Sequence, residues 1–354
     1  MAKSSFLKTL SRSDSFSSID DADSISESDA FIDTGVLLLN MQLSGSFSGG
    51  YPTNKILALA GESTTGKTYF ALSLVKSFLD QNPSGFVVYA DTESAVTKQM
   101  FAARGIDTSR VLVMSPESVE HVQSFRQALV ELLKKYEEIE ETERDPMLVV
   151  LDSLGALPSS KELRDVEEAK DVKDMSRASI IRSLFRVCRL KLSKLRVPMI
   201  ITNHTYASLS PYSPGPEMGG GHGIKYSSDI IIYLSKKAVK DETTKSVNGF
   251  IIHSKLQKSR FTRERTSIDT LLSYETGLDR YYGLLDKAVE VEFVKKLSAG
   301  RYEFPDRKTS VTAKEIDANP EAFWTPTVLK SLEEVLRGQF LYASVEASTV
   351  GVDD

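Results

Sequence analysis

The 354-residue chain is poor in several residue types, and each shortage excludes a class of protein. Cys188 is its only cysteine, which excludes an intramolecular disulfide and a cysteine-rich zinc site and is typical of a reducing cytoplasm. No apolar run approaches the roughly 20 residues that a membrane-spanning helix needs, and the N-terminus lacks the apolar core of a signal peptide. We therefore expect a cytoplasmic protein without a membrane role.

Basic residues are not in excess either. The chain has 44 Lys and Arg against 49 Asp and Glu, a formal net charge of −5. This balance excludes a globally basic nucleic-acid binder, so any such site has to be a local patch. With 41% hydrophobic residues, the chain can bury the core of one large domain with appendages.

One short stretch carries the clearest motif. Residues 57–75 read LALAGESTTGKTYFALSLV, where small polar residues separate two apolar runs. The spacing fits the phosphate-loop pattern G-x-x-x-x-G-K-[ST], and the flanking strand and helix argue against a chance turn. In such a loop, backbone N–H groups surround phosphate oxygens at the positive N-terminus of a helix. The predicted nucleotide-binding residues are Gly61, Glu62, Ser63, Thr64, Thr65, Gly66, Lys67 and Thr68.

Apolar strands and amphipathic helices alternate from Gly35 onward. The predicted strands are 55–61, 85–91, 110–114, 147–152 and 197–203, and the predicted helices are 67–80, 95–104, 118–137 and 175–195. This rhythm predicts a parallel sheet covered by helices on both faces. Further strands at 229–236, 249–256 and 266–273 predict an antiparallel extension, and helical segments at 312–342 close the chain. Residues 1–33, rich in Ser and Asp, are expected to be a disordered tail or a short arm that folds against a partner.

Polar residues stand where the predicted strands end. Asp152 ends the buried strand MLVVLD and can hold Mg²⁺ together with the Thr68 hydroxyl, while Lys67 would contact the β- and γ-phosphates. Glu93 follows FVVYAD and could activate the water that attacks the γ-phosphate, or could be an ordinary loop residue. His204 follows VPMIITN and could contact the γ-phosphate, or could make a structural hydrogen bond.

Two long polar connections and a basic helix indicate a nucleic-acid site. The connections span 159–178 and 205–229, and loops of this length inside a compact domain are usually functional. The helix at 175–195 and the residue after it carry Arg177, Arg182, Arg186, Arg189, Lys191, Lys194 and Arg196. Cations, glycine amides and loops together suit the phosphates of a single strand, although a solvated basic face is an equal alternative.

A basic pair follows further along the chain. Lys258 and Arg260 lie two residues apart, on one side of a predicted strand. They could complete the ATP site of a neighbouring subunit, as an arginine finger does, or could protect an exposed edge strand by their charge.

In this order and spacing, these features resemble a RecA-family recombinase, and most closely the UvsX type of tailed phages. The resemblance runs from about Thr34 to Gln339. It rests on TGVLLLNMQLSG, AGESTTGKT, YADTE, VVLDSLGAL, DMSRASIIRSLFR, ITNHT, MGGGHGIKYSSD and QKSR. Each motif is modestly specific, and together they are strongly specific.

The resemblance implies an α/β fold, with a RecA-like P-loop ATPase core around a central, mostly parallel sheet. It implies a short N-terminal oligomerisation arm (1–33), the core with two DNA-binding loops (34–285) and a small C-terminal helical region (286–354). The implied function is ATP-dependent recombination: a helical filament on single-stranded DNA pairs it with homologous duplex and exchanges strands. ATP and Mg²⁺ are the implied cofactors, and mediator and single-strand-binding proteins are implied partners.

The resemblance also assigns roles by position. Glu93, Lys67 and His204 match catalytic residues, Thr68 and Asp152 match the metal site, and Lys258 and Arg260 match the pair that reaches the neighbour's nucleotide. Residues 159–176 and 205–224 match the two DNA-binding loops. The implied DNA contacts are Arg177, Arg182, Gly220, Gly221 and His222.

This chain departs from the family at two places. Met100 stands where bacterial members stack an aromatic ring on adenine, so Phe101 could supply that surface instead. The first DNA loop is acidic, which shifts phosphate contacts to the basic helix behind it. A hexameric RecA-fold helicase is the alternative function, disfavoured because residues 1–33 are too short for its usual N-terminal domain. A scaffold that only binds ATP is disfavoured by Glu93.

Overall fold

The computed structural model describes residues 30–170, 174–207, 215–219, 222–240 and 246–342. Most of the expected N-terminal arm and much of the expected second DNA loop, including Gly220 and Gly221, lie outside these residues. Within the described part of the chain, no helix is long and apolar enough to cross a membrane.

Helices and strands alternate through the first two thirds of the described chain. The helices are α1 (Leu37–Ser44), α2 (Lys67–Gln81), α3 (Lys98–Ala102), α4 (Val122–Glu137), α5 (Ser160–Glu167), α6 (Arg177–Lys194), α7 (His222–Ser227), α8 (Leu284–Glu290), α9 (Ala313–Ala318) and α10 (Pro326–Phe340). The strands are β1 (Phe31–Ile32), β2 (Tyr51–Pro52), β3 (Ile56–Gly61), β4 (Phe86–Asp91), β5 (Val111–Val113), β6 (Met147–Asp152), β7 (Met199–Ala207), β8 (Pro216–Met218), β9 (Ile230–Lys240), β10 (Val247–Lys258), β11 (Ser267–Ser273), β12 (Gly277–Leu278), β13 (Lys295–Lys296), β14 (Arg301–Glu303) and β15 (Val311–Thr312).

One large sheet organises the molecule. Its strand order is β12-β11-β10-β9-β3-β7-β6-β4-β5, with β8 paired to the end of β7. All neighbours from β9 to β5 are parallel, whereas β10, β11 and β12 add antiparallel strands beyond β9. The predicted parallel core with an antiparallel extension is therefore confirmed.

The register brings the ends of distant strands together at one edge. Gly61 at the end of β3 pairs with His204 of β7 on one side and Leu234 of β9 on the other. Asp91 at the end of β4 pairs with Asp152 at the end of β6. Ligands of α/β sheets bind at this carboxyl edge, so the register alone makes it the candidate site.

Helices cover both faces of the sheet because its strands are apolar on both sides. In β3, Leu57 and Leu59 face a cluster built with α1, α2 and the C-terminal helices. Ile56, Ala58 and Ala60 face the opposite cluster, built with α4 and α6. Successive strand residues point to opposite faces, and both faces are buried here, which explains the continuous apolar runs.

Several predicted boundaries were wrong for local reasons. The helix predicted at 95–104 shortens to α3, because the Asp91 carboxylate accepts the backbone N–H groups of Glu93, Ala95 and Val96 before Thr97 caps the helix. The helix predicted at 118–137 begins at Val122, and the strand predicted at 197–203 continues to Ala207. The segment predicted as a polar connection contains α5, which Ser159 and Glu162 start with a reciprocal capping box.

The C-terminal part packs onto the same core. The predicted closing helix is confirmed as α10, which buries residues at helical spacing: Val328, Leu332, Leu336 and Phe340. The small sheet β13-β14-β15 and α8 were not predicted. The boundary expected after residue 285 falls inside α8, and Leu284 shares one hydrophobic cluster with Leu57 of the central sheet.

Candidate functional site

The loop between β3 and α2 is shaped to approach a ligand with its backbone. A Cβ on Gly61 would lie 2.6 Å from the Leu234 carbonyl oxygen and 2.6 Å from Thr65 Oγ1, so only glycine fits there. Gly66 has φ +94°, and Thr64 at the tip has φ +64°. Gly66 caps α2 without a side-chain hydrogen bond. The first N–H groups of α2 thus remain available at its positive N-terminus, where an anion binds best.

Lys67 is held inside this loop. Its side chain is buried, and Nζ donates to the carbonyl oxygens of Gly61 at 3.0 Å and Glu62 at 2.7 Å. Burial lowers the pKa of Lys67, while the carboxylates of Glu93 and Asp152 oppose this shift. A cation in such a position compensates phosphate charge without a long side-chain rearrangement.

Asp152 is a buried carboxylate whose oxygens are satisfied by hydroxyl groups. Oδ2 accepts hydrogen bonds from Thr68 Oγ1 and from the Tyr89 hydroxyl, both at 2.8 Å, and Oδ1 accepts one from Thr202. Burial, with the nearby Asp152 charge, raises the pKa of Tyr89, so the phenol stays a donor. Such partners are what a buried charge requires.

The oxygens of Thr68 and Asp152 suit magnesium. They come from two elements, the start of α2 and the end of β6, and are joined by a hydrogen bond beside the phosphate loop. Mg²⁺ prefers oxygen ligands and is usually held by one or two carboxylates with phosphate oxygens and water. The donor set therefore fits the expected ion.

Glu93 lies two residues past the end of β4 and contacts two polar side chains. Its Oε1 accepts a hydrogen bond from Ser153 Oγ at 2.5 Å and lies 3.1 Å from His204 Nε2. Burial raises the pKa of Glu93, but the Ser153 and His204 hydrogen bonds outweigh it, and the pKa is lowered overall. The sequence predicts Glu93 and His204 at one edge but not this contact, and no motif singles out Ser153.

The region near Met100 does not provide the expected replacement for an aromatic. Phe101 is only 5% exposed and packs edge-on against Tyr89 at 5.5 Å between centroids, so it presents little ring surface to a base. Met100 is half-buried, and its carbonyl accepts a hydrogen bond from Arg104 Nη1 at 2.8 Å. The Arg104 guanidinium stacks over Tyr69, the residue after Thr68, at 4.7 Å from the ring centroid.

The basic helix α6 presents fewer free cations than its sequence indicates. Arg177 donates to the carbonyl oxygens of Leu154, Gly155 and Leu157. Arg189 forms an ion pair with Asp229. Lys191 and Lys194 both form ion pairs with Glu137. Among the described residues, Arg182 and Arg186 are exposed without a hydrogen bond or ion pair. The DNA roles of Arg177 and Arg182 stay predictions.

The second expected DNA loop begins as a hairpin. β7 pairs with β8 from Thr205 to Ala207, and the Gly219 N–H donates to the His204 carbonyl oxygen at 3.0 Å. The Asn203 side-chain amide donates to the Gly219 carbonyl oxygen at 2.7 Å. The hairpin therefore closes directly on the residue that contacts Glu93. Of the predicted backbone contacts in this loop, His222 begins α7.

Lys258 lies two strands from β3 and is not level with the phosphate loop. It pairs with Ile231 at the start of β9, whereas Gly61 pairs with Leu234. Nζ donates to the carbonyl oxygens of Lys225, Tyr226 and Ser228 beside the end of α7.

Arg260 is separated from the strand that carries Lys258. It lies two residues beyond the end of β10, so the prediction that both cations share a strand was wrong. Its Nε lies 3.2 Å from Asp229 Oδ1, which also accepts a hydrogen bond from Arg189. Both cations of the expected trans pair thus hold the segment after α7 in place within this chain.

Comparison with known proteins identifies relatives of the whole core. The profile of the family described as the RecA N-terminal domain matches residues 14–279. The recombination and repair protein of Enterobacteria phage T4 is 33% identical over 301 residues, which cover 83% of this chain and 74% of that protein. Protein RecA of Malacoplasma penetrans (strain HF-2) is 25% identical over 286 residues, 79% of this chain and 81% of that protein. Protein RecA of Thermotoga petrophila is 25% identical over 305 residues, 84% of this chain and 80% of that protein.

Proposed function

Because the chain belongs to the RecA family, we propose that it is an ATP-dependent DNA recombinase. In this proposal it forms a helical filament on single-stranded DNA, pairs that strand with homologous duplex and exchanges strands. The names of the relatives support the function, and none supports the helicase alternative. The fold expected from the resemblance agrees with the observed sheet.

One observation in the chain carries the proposal furthest. His204 Nε2 lies 3.1 Å from Glu93 Oε1, and the backbone of His204 is bonded to Gly219 across the hairpin of the expected second DNA loop. A single residue therefore joins the carboxylate that would activate water to the segment that would bind DNA. A phosphate loop used only to hold nucleotide does not need such a connection.

The hydrolysis chemistry follows from the residues at the sheet edge. Lys67 would compensate the charge of the β- and γ-phosphates. Glu93 would accept a proton from water as the water oxygen attacks the γ-phosphorus, and the bond from the γ-phosphorus to the oxygen of the leaving nucleoside diphosphate would break. Thr68 and Asp152 would hold Mg²⁺, which supplies positive charge to the phosphate oxygens when bound. His204 would exchange its contact with Glu93 for one with the γ-phosphate.

Self-association would use the edge of the sheet that pairs with no further strand among the described residues. β5 is the terminal strand, and its Leu112 and Val113 are 57% and 62% exposed. An exposed apolar edge strand is a surface on which another chain can pair, and residues 1–33 are the proposed arm. Lys258 is level with Ile231, three residues along β9 from the position level with Gly61, and the proposed role of Lys258 is at a neighbour's nucleotide.

Mediator and single-strand-binding proteins are proposed partners, and the cytoplasm of a host cell is the proposed compartment. The division into arm, core (34–285) and C-terminal region (286–354) is likewise proposed.

The proposal is tested by three measurements on the full chain. We expect ATP hydrolysis that rises when single-stranded DNA is added, a continuous helix in electron micrographs with DNA and a slowly hydrolysed ATP analogue, and exchange of homologous strands only. Closed rings with directional unwinding would support the helicase instead. ATP binding without turnover would support a scaffold.

A further inference from the structure

Ser153 is a buried hydroxyl residue of the VVLDSLGAL motif, and the family resemblance assigned no role to it. It follows Asp152 directly and is 1% exposed. Its Oγ donates to Glu93 Oε1 at 2.5 Å, although the two residues are 60 positions apart. Buried hydroxyl groups usually have a hydrogen-bond partner, and here that partner is the carboxylate expected to activate water.

The backbone of Ser153 is tied to the same loop. The Ser153 N–H donates to Thr92 Oγ1 at 2.8 Å, and Thr92 Oγ1 donates to the Ser153 carbonyl oxygen at 2.7 Å. The Thr92 N–H donates to the Asp152 carbonyl oxygen at 2.9 Å. These three bonds join the two chain segments just after the Asp91–Asp152 pair, where β4 and β6 end. They leave the backbone of Glu93, the next residue, little freedom relative to Ser153.

Ser153 and His204 act on one oxygen of Glu93 from different environments. Both contacts are to Oε1, and in the described part of the chain Oε2 accepts no hydrogen bond. Ser153 is almost fully buried, whereas the His204 side chain is 27% exposed and its strand continues into the hairpin. If His204 turns toward a phosphate, Ser153 remains on Oε1.

We propose that Ser153 is a positioning residue for ATP hydrolysis, whose hydroxyl holds Glu93 Oε1 inward so that Oε2 faces the attacking water. The inference rests on the proposed function, because it assumes that Glu93 is the base. It explains why the Thr92–Ser153 bonds lie directly beside Glu93 rather than deeper in the sheet. Ser153 contacts neither nucleotide nor water in this role and acts through Glu93.

The hydrogen bond has a consequence for pH dependence. A donor to a carboxylate stabilises its charged form and lowers its pKa, and the bonds from Ser153 and His204 lower that of Glu93 against the effect of burial. Lys67 acts in the same direction through its charge. The Asp91 carboxylate, which accepts the Glu93 N–H, also faces this loop. Without the Ser153 hydroxyl, Glu93 is protonated at higher pH, so the acid limb of the rate profile moves upward.

The test compares Ser153→Ala with Ser254→Ala. Ser254 is equally buried, at 1% exposure, and its Oγ has no hydrogen-bond partner in the described residues. In the DNA-stimulated assay we expect Ser153→Ala to lower kcat by about 10- to 100-fold, the range for one hydrogen bond to a charged group. The ATP Kd should stay unchanged, the acid limb should move to higher pH, and Ser254→Ala should behave as the parent in all three.

Two further variants separate positioning from a general loss of structure. Ser153→Cys keeps a weak donor of similar size and should recover part of kcat and of the acid limb. In a Glu93→Gln background, Ser153→Ala should have no further effect, because its action passes through Glu93.

Three results would overturn the inference: an unchanged kcat in Ser153→Ala, a loss of kcat without a shift of the acid limb, or full additivity with Glu93→Gln. If Ser153→Ala misfolds, the Cys variant decides between the same outcomes. The parent chain in the same assay tests the proposed function separately. A parent without DNA-stimulated hydrolysis contradicts that function, whereas a normal parent with an unaffected Ser153→Ala contradicts only the role of Ser153.

Discussion

The carboxyl edge of the sheet and the helix α6 are both rich in charged side chains, but they use them differently. At the edge, Lys67, Glu93 and Asp152 come from three elements and surround one site, each held by hydrogen bonds. On α6, Arg189, Lys191 and Lys194 are paired with carboxylates of the same chain. The number of charges in a segment is therefore a poor measure of its available charge.

The difference has a physical origin. Strands of a parallel sheet end together, so polar residues at their ends converge whatever their separation along the chain. A helix instead distributes its side chains around its axis, and those beside other elements find partners there. Arg182 and Arg186 are left exposed on α6. DNA binding should thus depend on few residues of this helix. ATP hydrolysis should depend on each of Lys67, Glu93 and Asp152.

The largest effect is expected from Lys67→Ala. Its ammonium group is the cation inside the phosphate loop, so its loss should abolish ATP turnover and nucleotide-dependent DNA binding. Phosphate release and filter binding measure the two effects. Lys134→Ala, an exposed lysine of α4, is the matched control. Hydrolysis near the parent rate in Lys67→Ala would show that the carboxyl edge of the sheet is not the site of ATP hydrolysis.

Glu93→Gln should have the next largest effect. The change keeps the shape of the side chain and deletes the base, a role typically worth about 10²–10⁴-fold in rate. We expect ATP binding and filament assembly to persist while steady-state phosphate release slows by that range. Glu120→Gln, an exposed carboxylate before α4, should leave the rate unchanged. Equal rates in both variants would make Glu93 an ordinary loop residue.

His204→Ala tests whether the edge and the DNA segment are joined. The variant should bind ATP but lose most of the difference in DNA affinity between the ATP and ADP states. A ligand shifts the balance between two conformations only if it contacts them differently, and His204 is the residue expected to contact the γ-phosphate of ATP. Fluorescence anisotropy at fixed salt measures that difference. His253→Ala, which removes a histidine paired with Asp269, should retain it. If the His204→Ala variant shows the same difference in DNA affinity between the ATP and ADP states as the parent, another residue links the nucleotide to DNA binding.

The smallest effect is expected from substitutions on α6, which compare its exposed cations with its paired cations. The Arg182→Ala/Arg186→Ala variant should weaken single-stranded DNA binding and reduce the slope of log K against log salt by about 0.7 for each phosphate that is no longer neutralised. The Lys191→Ala/Lys194→Ala variant removes cations already paired with Glu137, so its slope should match the parent. Identical slopes in the two variants would show that pairing does not decide which cations bind DNA.

Much of the fold was predictable because its signals are local. Continuous apolar runs predicted buried parallel strands, and the spacing from Gly61 to Thr68 predicted the loop at the start of α2. The errors came from individual side-chain hydrogen bonds. The Asp91 carboxylate shortened the helix predicted at 95–104 to α3 by binding the backbone before it. No periodicity in that segment contains this information.

The candidate site divides in the same way. The amino-acid order was enough to assign Lys67, Glu93, Asp152 and His204 to one edge, since each lies at or just after the predicted end of a strand or begins the following helix. It was not enough to show that Ser153 and His204 share one oxygen of Glu93, or that Lys258 is held beside α7. Those contacts depend on the register between strands, which pairs Asp91 with Asp152 and Gly61 with His204. Register is settled by how whole strands pack together, because shifting a strand by one residue would turn every side chain to the other face.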